Sequence, residues 1–221
     1  MVTRTYAASC KVCVHLGESI VLQSSPVGAR DQPALPDIRK LLFKPNISVH
    51  GPITDGTLSF VLDRLSEVRD SNEDLIMELN TTGGDADVAR RIALEIRLFR
   101  RHGAHGAYCV GKTNVYSAGV TIFASFAPSS RFLTEDAVLL IHERRLEKSI
   151  DLNGPMKANI QIIREQLALL ETAEKLEAEG FAELVQGSKL SLDALYDRLM
   201  NNCYMFPSEA LKLNIIQDIL Q

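Results

Sequence analysis

Between Ile47 and Ile141, short apolar runs of strand length alternate with stretches of helical period, and the links between them are short. Each such element has one apolar face to hide, so the alternation argues for an α/β layer fold with helices packed on a sheet. Ile47-Ser48-Val49-His50 closes on Gly51-Pro52, and Thr54 can cap a helix running to about Arg69. Leu58, Val61, Leu62, Leu65 and Val68 recur there at i, i+3 and i+4, which makes one buried face. Leu75 to Leu79 reads as the next strand. After Gly83-Gly84, Asp85 and Asp87 open a second helix and Arg97, Arg100 and Arg101 close it, matching the macrodipole at both ends. Its buried face is Ile92, Ile96 and Phe99. Ala107 to Val110 and Ala137 to Ile141 are further strands.

Chemistry concentrates where these elements meet. Ser117 follows the Ala107 to Val110 strand and precedes Ala118-Gly119-Val120-Thr121-Ile122-Phe123-Ala124, a run suited to a buried helix packed on its small residues. A serine there faces the unpaired N–H groups of a helix start, which suits a nucleophile beside a developing oxyanion and equally suits an ordinary helix cap. His142 ends the Ala137 to Ile141 strand, where it can serve as a base or simply hydrogen-bond locally. Leu75 to Asp85 supplies a third part, a strand running through Gly83-Gly84 into a helix. Its backbone N–H groups can approach a ligand with no side chain in the way.

The ends of the chain differ from this middle. Residues 1–46 hold two strand-like pieces, around Lys11 to His15 and Ser19 to Gln23, then a linker through Pro26, Pro33 and Pro36, and are expected to form an arm or hairpin before a domain at 47–221. Cys10 and Cys13 with His15 have metal-like spacing, but no second cysteine pair completes a zinc site, so strand residues are the better reading and no metal or cofactor is expected. Glu143 to Asp151 is charged and irregular. Gly154-Pro155 opens a long helix from about Met156 to Leu184, with Ile160, Ile163, Leu167, Leu170 and Leu176 in a narrow stripe. Such a helix either projects and pairs with a partner or lies along its own domain. Ser191 to Met200 reads as a helix, Pro207 opens another, and Leu213 to Leu220 reads as a closing strand.

With 221 residues, 46% hydrophobic and 24% charged, the chain suits one sizeable globular core. The net charge of −4 argues against nucleic acid or an anionic membrane as partners. No apolar run reaches membrane-spanning length and no leader pattern opens the chain, so the cytoplasm is the simplest expectation. No phosphate-cradling loop of the P-loop kind is present.

Three segments together resemble the proteolytic subunit of the Clp protease and the wider ClpP/crotonase fold. They are Asn80-Thr81-Thr82-Gly83-Gly84, Ser117-Ala118-Gly119 and Leu140-Ile141-His142, in the family's order and near its spacing. The resemblance covers roughly Ile47 to Leu220. It implies a core of repeated β-β-α units with a protruding long helix, the handle, through which two rings of subunits meet. It also implies a serine endopeptidase acting on unfolded polypeptides inside an oligomeric chamber, fed by a separate ATP-dependent unfoldase. Ser117 would be the nucleophile, His142 its base, and the N–H groups of Gly83 or Gly84 and of Ala118 the oxyanion donors.

The departures from the family pattern are specific. Its catalytic aspartate falls on Asn202, an amide that can hold the imidazole N–H but brings no charge; Asp193 and Asp197 are the nearby acids. The link from Gly111 to Ser117 is about two residues longer than the family's. The Gly-rich strand after the histidine is replaced by Glu143-Arg144-Arg145-Leu146, and Asn214 stands where the family has glycine. A weak or inactive subunit with a structural or regulatory role is therefore an alternative, and a crotonase-like acyl-CoA enzyme a more distant one, against which Ser117 with His142 argues. An α/β-hydrolase elbow is disfavoured, because Val115 sits where it needs glycine. If Asn202 is the third member, Asn202→Asp should raise turnover on a small peptide ester; an unchanged rate with the fold intact would remove Asn202 from that role.

Overall fold

A computed structural model describes residues 36–221 of the chain. The strand-like pieces before Pro26 and the Cys10/Cys13/His15 group lie outside the described residues. Strand β3 (Ala107–Tyr116) is the axis of the sheet. It runs parallel to β2 (Leu75–Thr81), which pairs in turn with β1 (Ile47–His50). On its other side β3 has two partners in succession. Cys109 to Gly111 pair with β4 (Arg131–Thr134), which leads to β7 (Asp218–Leu220), and Asn114 to Tyr116 pair with β5 (Val138–Ile141). β5 carries the only antiparallel neighbour among the described strands, β6 (Cys203–Met205).

Strand β3 bulges where it changes partners. Leu79 pairs Gly111 but Thr81 pairs Val115, so the surplus residues bulge out between them with Thr113 at φ +53°. The bulge is pinned: Thr113 donates to Asp136 (2.9 Å), and Lys112 reaches Glu78 (2.7 Å) and the Leu42 carbonyl (2.8 Å). The Thr134 hydroxyl, followed by that of Thr113, holds the Asp136 carboxyl below its usual range. Val115 returns to the core, paired with Thr81 on one side and Leu139 on the other.

Helices α2 (Asp55–Ser71), α3 (Ala86–His102) and α4 (Ala118–Ala124) cover one face of the sheet. α2 buries Val61, Leu65 and Val68, and α3 buries Ile92, Ile96 and Phe99, as their periodicity dictates. The Asp85 carboxylate caps α3 by accepting from the Asp87 and Val88 N–H groups. Period-two alternation sends Ile76, Tyr108, Val110 and Phe132 to the opposite face, where Leu41 of α1 (Ile38–Phe43) joins them. That helix lies in the segment expected as arm and linker. Helix α5 (Met156–Val185) has Leu184 as its one fully buried residue; Ile160, Ile163, Leu167 and Leu170 stay about half exposed, so that part of the stripe stands clear of its own domain, while Leu176 faces it. Among the described residues no helix is long and apolar enough to cross a membrane.

The C-terminal segment corrects one expectation. Only Asp218 to Leu220 form a strand; α6 (Leu192–Leu199) and α7 (Pro207–Lys212) precede a turn through Leu213–Gln217. Asn214 sits at φ +58°, a conformation that glycine and asparagine tolerate, and Ile215 donates its N–H back to Ala210 (2.9 Å). Ile215 and Ile216 are buried from this turn, so their apolar character reflects core packing without strand pairing.

Arg131 locks these layers together. Only 1% exposed, it opens β4 and donates to the carbonyls of Phe126 (2.9 Å), Ala124 (2.7 Å), Leu184 (2.9 Å), Glu183 (3.3 Å) and Ile215 (3.5 Å). Burial pushes its pKa down to about 10, so it remains a cation at neutral pH. Arg131→Met keeps the volume but strands those carbonyls, at about 1–3 kcal/mol for each left unsatisfied. The expected result is a urea midpoint lowered by the equivalent of about 3 kcal/mol or more; a midpoint within about 0.5 kcal/mol of the parent would contradict the locking role.

Candidate active site

Val115 and Tyr116 leave β3 pointing the chain at α4, and Ser117 is the single residue between strand and helix. Its backbone takes φ +53°, ψ −119°, a region in which a side chain is strained by about 1–3 kcal/mol. The strain is held in place by its N–H, which donates to Leu140 of β5 (2.8 Å), and by its carbonyl, which accepts from Val120 (2.9 Å). The hydroxyl caps nothing: no side-chain bond joins it to the helix, in contrast to Asp85 and Ser191, which do cap theirs. Such a sharp strand-to-helix turn presents the side chain outward, into a cleft between α4 and α5.

His142 follows β5, beside β3, and lines the same cleft as Ser117. Its Nδ1 lies 2.7 Å from the Glu143 carbonyl oxygen. A carbonyl only accepts, so in this bond the proton sits on Nδ1 and Nε2 carries the free lone pair. No hydrogen bond joins Ser117 to His142, although both line the cleft.

Gly83 and Gly84 come to Ser117 from β2. Gly83 has φ +96°, and a Cβ on it would lie 2.7 Å from the Ser117 Cβ and 3.3 Å from its hydroxyl oxygen. Gly84, at φ +148°, is pressed on Ile53, whose N–H and carbonyl bond Gly83 and Asp85 (both 2.9 Å). The Gly83 N–H donates to the Thr81 hydroxyl (3.1 Å), an acceptor that motif reading missed. The Ala118 N–H opens α4, where no preceding turn supplies an acceptor.

Asn202 lies across from His142 in the β5–β6 register, one step beyond the Ile141–Cys203 pair. The two side chains are not bonded. The Asn202 amide oxygen accepts from Arg145 (3.2 Å), and its backbone, at φ +60°, donates its N–H to the Leu199 carbonyl (3.1 Å) in the turn that follows α6. Asparagine suits that conformation whatever its side chain does. Asp193 and Asp197 lie on α6 and are not among the residues of the cleft.

The cleft also holds residues with no motif to betray them. Leu176, Glu177 and Phe181 come from α5, and Arg90 from α3. Phe181 stacks edge-on against Tyr196 of α6, 5.7 Å between ring centres. The signal that could have found them is the helical period, which puts Glu177 one turn from Phe181 on the same face.

The family model for Clp protease matches residues 30–221. The mixed α/β architecture with its parallel sheet agrees with the ClpP/crotonase-like fold. No curated protein matches the chain at significant similarity.

The approach of Gly83 to Ser117 is tight enough to test. In Gly83→Ala the new methyl meets the Ser117 side chain on a backbone that disfavours it, and the expected cost is about 2–3 kcal/mol of stability with displacement of the serine. Thermal melting with the parent as control checks this; an unchanged midpoint would mean that the two segments lie further apart.

Proposed function

Because the chain belongs to the Clp protease family, we propose that it is a serine endopeptidase that cleaves unfolded polypeptides by acyl-enzyme chemistry, with Ser117 as nucleophile and His142 as base. The observation that carries this reading is that the strained, uncapped Ser117 hydroxyl and the His142 ring share one cleft. In the proposed reaction Ser117 Oγ attacks the scissile carbonyl carbon while His142 Nε2 takes its proton. The oxyanion is met by the Ala118 N–H and by that of Gly83 or Gly84; the Gly83 N–H exchanges the Thr81 hydroxyl for the oxyanion. His142 returns the proton to the leaving amine, and water then hydrolyses the acyl-enzyme by the same route.

In this reading the Glu143 carbonyl holds the base in the required tautomer in the unliganded site. Asn202 stands opposite, ready to take that N–H once its amide oxygen leaves Arg145. An amide or a carbonyl stabilises the imidazolium less than a carboxylate does, so a slow enzyme is expected. That same engagement of Asn202 supports the second reading, a ClpP-like subunit retained for assembly.

Assembly into a homo-oligomeric ring that accepts chains from a separate unfoldase belongs to the same proposal. It is supported by the half-exposed Ile160, Ile163, Leu167 and Leu170 along α5, a stripe that fits a partner subunit.

A fluorophosphonate probe should label Ser117, identified by peptide mapping, and Ser117→Ala should abolish labelling. His142→Ala should slow it by about a hundredfold or more. Light scattering at micromolar concentration should give a mass several times that of the chain. An oligomer whose serine never labels would favour the assembly reading, and a monomer would exclude the chamber.

A further inference from the structure

The cleft beside Ser117 has an electrostatic imbalance that the proposed reaction leaves unused. Glu177 lines it from α5, half-buried, and its carboxylate accepts the backbone N–H of Arg144. No lysine, arginine or histidine side chain among the described residues forms an ion pair with it. The two guanidinium groups in the cleft are both turned to the exposed Asp87 on α3, Arg90 at 3.5 Å and Arg144 at 3.4 Å. The cations therefore have a carboxylate, and the carboxylate at the cleft wall makes no ion pair among the described residues. Burial, helped by Glu143 and Glu174 nearby, outweighs the Arg144 N–H and guanidinium and raises the Glu177 carboxyl above its usual range.

The walls leading to Glu177 are apolar: Val120 and Ile141 on the Ser117 side, Leu176 and Phe181 on the α5 side. Apolar walls ending at a lone carboxylate match a long side chain with a methylene stem and a cationic head. In any productive pose the side chain closest to the attacked carbonyl is that of the residue carrying it. We infer that this cleft takes lysine or arginine from the substrate residue whose carbonyl Ser117 attacks, and that Glu177 selects it. The inference rests on the peptidase reading for its placement in the reaction, though recognition of the side chain can be measured without turnover.

The test uses the full chain carrying Ser117→Ala, with fluorescent N-blocked dipeptides ending in lysine, norleucine or glutamate. Norleucine keeps much of the lysine stem and removes the charge. Lysine should bind about tenfold tighter than norleucine, and glutamate weakest. Glu177→Gln keeps an oxygen for the Arg144 N–H, so the fold contact survives; it should bring lysine and norleucine to parity with an unchanged melting temperature. Glu177→Lys, added as a reversal, should move the preference to glutamate. Equal binding of lysine and norleucine, a lysine preference that survives Glu177→Gln, or no binding of any of the three at millimolar concentration would each overturn the inference. Failure of the peptidase reading is seen separately, as a wild-type serine that never reacts with a lysyl phosphonate although the lysine preference is intact.

Discussion

A buried guanidinium sets the geometry on which the cleft depends. Arg131 bonds the carbonyls at the end of α4 and just beyond it, Ala124 and Phe126, and those at the end of α5, Glu183 and Leu184. One rigid, planar fork thus fixes the helix that follows Ser117 against the helix that carries Glu177. Its contact with Ile215 brings in the C-terminal turn, and its backbone belongs to β4 in the middle of the sheet. Desolvating a cation is costly, and the carbonyls repay that cost only while every element stays in place. Arg97 adds an outer tie, pairing α3 with Glu183 at 2.9 Å, so α3, α4 and α5 meet around one patch of backbone.

From that framework the serine gains its strained turn. A residue at φ +53° persists only where neighbours over-determine it, and here β5 takes its N–H, α4 takes its carbonyl, and Gly83 leaves no room on the third side. The bulge in β3 serves the same end. Two partners, β4 and β5, are joined to β3 at successive stretches, and the surplus residues fall between them, where neither ladder is broken. Ser117 is thereby held by the β3–β5 pairing that follows the bulge. The far wall of the cleft, in contrast, comes from α5, an element whose buried residue lies near its C-terminal end.

How much of this was legible before any coordinates follows from how local each signal is. The helices α2, α3 and α5, the strands β1, β2 and β5, and the serine between strand and helix rest on period and cap chemistry within a few residues, and they emerge where the pattern puts them. So does Asn214, since the left-handed conformation that favours glycine also admits asparagine. The segment Leu213–Gln217 misled because burial and pairing leave the same apolar trace. β4 and β6 were hidden for the opposite reason: Arg131 and Tyr204 break the alternation by which short strands are recognised.

The sequence by itself determined the α/β layering, the order of the Gly-Gly, Ser117 and His142 segments, and the long helix, because each is written in neighbouring residues. Only the tertiary structure decided which groups meet. That Arg131 is interior, that His142 turns its Nδ1 to Glu143 while Asn202 holds Arg145, and that Glu177 faces the serine's cleft outside any ion pair among the described residues are all outcomes of packing between distant segments. A charged residue carries the same letter whether it ends in solvent or in a core, and only the surrounding backbone carbonyls or carboxylates settle which state is stable.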